Sequence, residues 1–529
     1  MATKILVTDD ISQAGIDILS GLQGAEVVVR TNLAPDELKE AIADADALVV
    51  RSQTRVTRDV IESAKKLKVI GRAGVGVDNI DLEAATRRGI LVINAPDGNT
   101  IAAAEHTFAM MISLARHIPA AHRDLLQGNW NRKKWIGVEL RGKTLAVLGM
   151  GRIGTEVAKR AKAFGMTVLG YDPFLTEERA QSLGVKRCDL DTAIREADFI
   201  TVHTPLTKET HHMIDAGRIA QMKEGVRIIN CARGGIIDEV ALAEALEAGR
   251  VAGAAIDVFE QEPLPMDHPL RRCPNVVLTP HLGASTVEAQ ENVAIQVAEE
   301  IVQVLRDDTF EHAVNLPSLS QRQKERLAPY LALAEQLGLF AAQLAQGAPS
   351  SMTVRYAGDA ADPDGGYLTR TVLKGFFSFQ YNGEVNYVNA LRYAEDAGLR
   401  VQEVRESRGR VYTNEVEISV ATDNGTHRVT GTVLGEYGPR IVELDGYPID
   451  TPIQGILIYT RHEDRPGMIG RIGTLLGDRD INIAGMQVGR RETGGEAVML
   501  LSVDKRVPQD VIDEIAKHPG IRLVRAIEL

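Results

Sequence analysis

The chain is poor in cysteine, aromatic residues and long apolar runs. Among 529 residues there are three cysteines and two tryptophans, and aromatic residues make up 4%. Cys188, Cys231 and Cys273 stand far apart with no Cys-x-x-Cys pair. That spacing excludes a disulfide framework and a zinc knuckle, and it fits reduced thiols in a cytosolic protein. No apolar run approaches the length that crosses a bilayer, so a membrane protein is not expected. Acidic residues at Asp9 and Asp10 come too early for a signal peptide. Positive charge is also short: 60 Lys and Arg against 72 Asp and Glu give 60 − 72 = −12. Nucleic acid is thereby excluded as a bulk electrostatic partner, although a local basic pocket for a small anion remains open. The expectation is a soluble, cytoplasmic protein.

Glycine, by contrast, is plentiful at 48 residues, and Val, Ile and Ala are common. The length implies about three or four domains. Residues 1–98 alternate short β-rich runs (Ile5–Val7, Val27–Val29, Leu48–Val50, Val69–Ile70, Leu91–Ile93) with helical stretches, which predicts βα units and a parallel sheet. The Ala-rich stretch Thr100–His117 predicts one buried helix with Thr100 as its N-cap. Six further strands follow, starting at Thr144, Thr167, Phe199, Arg227, Ala254 and Val276, the number of a doubly wound nucleotide-binding domain. A helix over 285–306 then allows the chain to return to the first domain. Residues through Arg326 predict a linker or an exposed helix start, and 328–345 a helix. From 351 to 453 strands are expected, with a turn at Asp423-Asn424-Gly425. The order β-α-β-β-α-β over 454–529 is ferredoxin-like.

Gly149-Met150-Gly151-Arg152-Ile153-Gly154 follows a strand and opens a helix, and Asp172 ends the next strand. That context is a dinucleotide-binding fingerprint. Gly149 permits the tight turn, Gly151 admits a pyrophosphate, and Gly154 lets helix and strand pack closely. Asp172 would accept from ribose hydroxyls and repel a 2′-phosphate, so NAD is expected over NADP. Arg233, just past a strand, can fork onto a carboxylate. His281 also follows a strand. Alone it reads equally as a satisfied core group; with the carboxylate of Glu262 it makes a general base. Asp257 ends another strand and could hold a nicotinamide carboxamide. The Gly-rich turn from Gly71 to Asn79 offers backbone N–H groups to an anion, with a purely structural turn equally supported. His211-His212 lacks companion ligands, and no metal is expected.

These motifs, with Asn230-Cys231-Ala232-Arg233-Gly234-Gly235, Glu262-Pro263 and Pro280-His281-Leu282-Gly283-Ala284, resemble those of D-isomer-specific 2-hydroxyacid dehydrogenases. Within that family the whole chain is similar to the long-form D-3-phosphoglycerate dehydrogenases. The resemblance implies two doubly wound Rossmann-like domains, an α+β intervening domain and a ferredoxin-like ACT domain. It places the substrate domain at 1–98 with 283–318, the NAD domain at 99–282, the intervening domain at 319–453 and the ACT domain at 454–529. It further implies Arg233 as carboxylate anchor, His281 as acid/base and Glu262 as its orienter. NAD contacts carry over to Gly149, Gly151, Arg152, Ile153, Gly154, Asp172, Thr204, Cys231, Ala232, Arg233, Asp257, His281, Gly283 and Ala284. Substrate contacts carry over to Arg51, Ser52, the backbone of Gly74 and Val75, and Arg132 across a dimer interface. Gln53 stands where some relatives have a second arginine.

The implied reaction is oxidation of 3-phospho-D-glycerate to 3-phosphonooxypyruvate by NAD, the first step of phosphorylated L-serine synthesis, in a homotetramer. L-serine is the implied feedback effector, held between two ACT domains by His462, Asp464 and Asn482. The competing expectations are a hydroxypyruvate or glyoxylate reductase, or a non-catalytic dinucleotide-sensing scaffold of the corepressor kind.

Overall fold

The computed structural model describes residues 2–345, 347–361, 366–381 and 383–529. The first sheet contains β1 (Thr3–Val7), β2 (Ala25–Val29), β3 (Ala47–Val50), β4 (Val69–Arg72) and β5 (Leu91–Asn94). Its order is β2-β1-β3-β4-β5, and every pairing is parallel. β3 is buried at all four positions, as expected of a parallel strand covered on both faces. One cover is the helix Val287–Asp307, whose Thr286 caps the N–H of Ala289. Val293, Ala294, Val297, Ala298 and Ile301 form its buried stripe and share a core with Ile5, Val7 and Val49. The chain thus returns to the first sheet after building the second.

The second sheet contains β6 (Thr144–Leu148), β7 (Thr167–Tyr171), β8 (Lys186–Arg187), β9 (Phe199–Val202), β10 (Val226–Asn230), β11 (Val251–Ile256) and β12 (Val276–Leu278). Its order is β12-β11-β10-β9-β6-β7-β8. The six expected strands are present, and the two-residue β8 adds a seventh at the edge. The order reverses between β6 and β9, which opens a crevice beyond their carboxyl ends. The Ala-rich helix runs Thr100–Ala115 and then breaks into a second helix, Ile118–Leu126. Contrary to expectation, Thr100 is the first helical residue and not the cap; Asn99 is the cap, with no side-chain capping bond.

The third sheet contains β13 (Pro349–Ala357), β14 (Arg400–Glu406), β15 (Glu415–Thr422), β16 (Gly425–Val433), β17 (Pro439–Leu444) and β18 (Tyr447–Pro452), in the order β14-β13-β15-β16-β17-β18. The turn at 423–425 forms as expected. Two helices inside this stretch, Gly366–Tyr381 and Ala390–Asp396, were not expected among the strands. The preceding helix begins early, at Gln321, because Ser320 and Gln323 form a reciprocal capping box, and it continues through Pro329 to Leu344. The fourth sheet contains β19 (Ile456–Glu463), β20 (Ile483–Arg490), β21 (Glu496–Val503) and β22 (Ile521–Glu528). Its order, β20-β21-β19-β22, is the ferredoxin-like one. One face packs on its own helices through Ile458, Met499 and Leu501. The other face, with Leu457, Tyr459, Val498 and Leu500, joins the core of the third unit.

Helices Gln321–Leu344 and Gly366–Tyr381 cross at two glycines. A β-carbon on Gly338 would lie 2.1 Å from the Val372 carbonyl, and one on Gly375 would lie 2.0 Å from that of Glu335. Each helix therefore presses its backbone on the other. Gly338→Ala should force the pair apart, at about 1–3 kcal/mol. The expected readouts are a lower Tm and faster amide exchange along both helices.

Candidate active site

Two loops from the first unit and two turns from the second converge on a cleft of about 790 Å³. Its lining includes Arg51, Ser52, Arg72, Gly74, Glu262 and His281. The loop after β3 is held by Asp9, which has almost no exposure. The Asp9 carboxylate accepts from the N–H of Arg51 (2.5 Å) and from the N–H and hydroxyl of Thr54. Asn79 grips the same loop from the other side, donating to the carbonyls of Arg51 and Thr54. Arg51, Ser52 and Gln53 are thereby presented to the cleft.

Arg72, at the end of β4, also lines the cleft, and its Nε is buried without a partner. Burial, together with the charges of Arg233 and Arg51, pulls its guanidinium down to about 10. A crowded, under-satisfied cation is a site for an anion. Sequence reasoning missed Arg72. Its place after a strand was visible, but the direction of its side chain was not. Gly74, at φ +149°, lies beneath it; a β-carbon there would sit 1.5 Å from Arg72 Nη1.

Arg233 projects from the turn after β10. Asn230 shapes that turn by accepting from the N–H of Ala232 and donating to the carbonyl of Arg233. The guanidinium crosses to the first unit, where Nε meets Asp78 at 3.0 Å. His281 Nδ1 lies 2.8 Å from Glu262 Oε2, and Glu262 also accepts from the N–H of Phe259. Burial pushes the Glu262 carboxyl up, but these two hydrogen bonds outweigh it and hold the group below its ordinary range. Nδ1 is committed to Glu262, which leaves Nε2 as the other ring nitrogen.

Asp257 is fully buried. Its carboxylate accepts from the Thr279 hydroxyl (2.6 Å) and from the N–H groups of Leu282 (2.8 Å) and Gly283 (2.9 Å). Within this chain, its side chain fastens the turn that carries His281.

The dinucleotide turn has the geometry a pyrophosphate needs. Gly149 is at φ +100°, and Gly154 packs so closely that a β-carbon would lie 1.9 Å from the Gly149 carbonyl. Nothing lies within 4 Å of a β-carbon built on Gly151, so the turn is open above it. Asp172 braces the turn from the end of β7 by accepting from the N–H of Met150. Thr204 Oγ1 is buried without a partner, a polar atom that a bound dinucleotide would satisfy. Arg152 pairs with Asp97 of the first unit.

Arg132 stands apart. It is exposed, at the start of the short 3-10 helix Arg132–Trp135, whose Trp135 donates to Asp124, and it does not line the cleft of its own chain. In the C-terminal unit, His462 is buried against Thr460, Asp464 accepts from the N–H of Gly494, and Asn482 donates to Asp504. His462 pairs with Ala497 at one end of the sheet, whereas Asn482 precedes Ile483, which pairs with Val503 at the other. The ends are about 20 Å apart along the strands. One chain alone does not bring these three residues together.

A dinucleotide turn in one doubly wound sheet, together with a cleft in which arginines of a second α/β unit meet a His–carboxylate pair, defines a D-2-hydroxyacid dehydrogenase. Residues 108–283 match the model of the D-isomer specific 2-hydroxyacid dehydrogenase NAD binding domain. Residues 326–445 match the D-3-phosphoglycerate dehydrogenase intervening domain, and 456–520 the ACT domain. The chain belongs to the D-3-phosphoglycerate dehydrogenase family. It is 48% identical over 99% of its length to D-3-phosphoglycerate dehydrogenase of Synechocystis, covering 95% of that protein. It is 47% identical to the Bacillus subtilis enzyme of that name, covering 99% of each. Among solved structures, D-lactate dehydrogenase from Aquifex aeolicus, complexed with NAD and lactic acid, is 30% identical over 57% of this chain and 96% of that one, with a TM-score of 0.53. No described helix is long and apolar enough to cross a membrane.

A β-carbon at Gly76 would lie 1.9 Å from Arg233 Nη2 and 2.8 Å from Asp78 Oδ2. Gly76→Ala should therefore push the guanidinium aside without disturbing the core. The expected outcome is a KM for the hydroxyacid raised on the order of tenfold, with NAD affinity and Tm unchanged. Steady-state kinetics and NAD titration check it.

Proposed function

We propose that this chain oxidises 3-phospho-D-glycerate to 3-phosphonooxypyruvate with reduction of NAD. The observation that carries this reading is a cleft that gathers Arg51 and Arg72 beside the His281–Glu262 pair, with Arg233 close enough for its charge to act on Arg72. Arg233, with the Gly74–Val75 backbone, takes the carboxylate; Arg72 and Arg51, with Ser52, take the phosphate. His281 Nε2 then accepts the C2 hydroxyl proton. Glu262, on Nδ1, fixes the tautomer and stabilises the imidazolium that forms. The 149–154 turn, Asp172, Thr204 and the Cys231–Ala232 backbone, with Asp257, Gly283 and Ala284 nearby, would hold NAD, which when bound would supply the acceptor for the C2 hydride. Most of the acceleration assigned to the chain is positioning of two anionic ends relative to one base.

In this reading residues 1–98 with 283–318 bind substrate, 99–282 bind NAD, and 319–453 and 454–529 regulate. Trp130 (78% exposed), Leu126 and Ile136 are exposed apolar side chains on the segment that carries Arg132. They support a dimer through the NAD units that delivers Arg132 to the partner's cleft, within a homotetramer. L-serine is the effector, bound where His462 and Asp464 of one ACT unit meet Asn482 of another. Three free thiols support a cytoplasmic setting.

NADH formation is measured with 3-phosphoglycerate and NAD, with and without L-serine, using D-lactate and D-glycerate as controls. Phosphoglycerate-selective, serine-inhibited turnover is expected. His281→Asn should lower kcat by about 10²–10⁴ and leave NAD binding intact. Equal turnover of D-glycerate would remove the phosphate assignment, and near-normal turnover of the variant would remove His281 as the base.

A further inference from the structure

His281 has φ +57°, a left-handed backbone that a residue with a β-carbon adopts only against strain. Something must hold it there. Its own N–H donates to the Asp257 carbonyl at 2.8 Å, and the next two N–H groups, of Leu282 and Gly283, close on the Asp257 carboxylate. Two N–H groups of the turn thus close on one side chain with no exposure to water. A buried carboxylate is retained only when donors or a cation answer it.

One ionisable donor does so. His106, on the helix Thr100–Ala115, places Nε2 at 3.2 Å from Asp257 Oδ1 and 3.2 Å from Thr279 Oγ1. The Thr279 hydroxyl spends its proton on Asp257, so its oxygen is free to accept from His106. A single N–H at Nε2 therefore serves both atoms. Cys231 is a further titratable neighbour, as is Glu262, whose carboxyl the Asp257 charge pushes up; burial and the Asp257 charge push the Cys231 thiol up and keep it neutral. His106, Cys231 and Asp257 bring three ligand-type atoms within 4.8 Å of one another. The donors already on both Asp257 oxygens and the protonated thiol make that trio a hydrogen-bond cluster and not a metal site.

We propose that His106 is a positioning residue for the reaction: through Asp257 and Thr279 it locks the 279–283 turn and so fixes His281 against Glu262. The proposal rests on the assignment of His281 as the base. His106 does not line the cleft, so its part is to position and not to react.

The test uses the full chain with His106→Ala, His106→Gln, Asp257→Asn and the His106→Ala/Asp257→Asn double variant. His106→Ala should lower kcat on the order of tenfold to a hundredfold, with NAD affinity within about twofold of the parent and the amides of Leu282 and Gly283 losing exchange protection. His106→Gln, whose Nε2 amide reaches the same atoms, should restore most of both. In the Asp257→Asn background the His106→Ala change should add less than about twofold, because the path it acts through is already cut. Near-parental kcat and protection in His106→Ala, a fully additive double variant, or stoichiometric metal in the parent that His106→Gln lacks would each overturn the proposal. If the parent enzyme does not turn over 3-phosphoglycerate, the functional reading fails, while the exchange measurement still decides whether His106 holds the turn.

Discussion

Two carboxylates removed from water, Asp9 and Asp257, hold the surfaces on which the proposed chemistry is performed. Parallel strands end in loops whose N–H groups have no ladder partner, and the loops that face a cleft have little water to turn to. Asp9 gathers the N–H groups of Arg51 and Thr54; Asp257 gathers those of Leu282 and Gly283. Each carboxylate sits at the carboxyl end of its own sheet and fixes a loop that carries a functional side chain. The cleft is defined by these anchors before any ligand enters. Arg51 and Arg72 can then point like charges into one space, because the backbone that carries them cannot move apart.

Much of this was legible in the sequence, and the parts that were not have physical reasons. β-Branched runs bounded by Gly, Asp and Asn mark the strands of both parallel sheets, because such strands are buried on both faces and read as continuous apolar segments. The turn from Gly149 to Gly154 was legible because each glycine answers a distinct steric demand. The helix Gly366–Tyr381 was not, since its buried positions include Thr369, Thr371, Phe376 and Phe377, residues equally at home in a strand. Its helical state is decided by packing against Gln321–Leu344 through Gly338 and Gly375. Arg72 and His106 escaped for a different reason. Each became significant only through a partner brought close by the fold: Arg233 for the first, Asp257 for the second.

The C-terminal unit is joined to the rest by more than chain connectivity. One face of its sheet continues the core of the third unit through Tyr459 and Leu500. Around that apolar contact, Arg491 donates to the carbonyls of Asp445 and Gly446, and Tyr447 donates to Glu496. These bonds run from one unit to the other across the seam. A change in the curvature of the ACT sheet therefore meets a packed core and a polar clasp, not a free hinge.

The long helix Gln321–Leu344 gives that connection a mechanical character. Its 24 residues make a rod of about 36 Å. Its start is tied to the dehydrogenase end, where Lys324 donates to the Asp307 carbonyl. Near its far end, Gln343 exchanges two hydrogen bonds with the backbone of Glu528, on the edge strand of the ACT sheet. A tilt of one degree at one end moves the other by roughly 0.6 Å over that length. The rod is a lever arm of high gear ratio: a shift comparable to one hydrogen bond's tolerance at the ACT edge corresponds to about one degree of tilt at the Lys324 end. Pro329, without an N–H to donate, marks the weakest section of the beam and sets where it would flex under load.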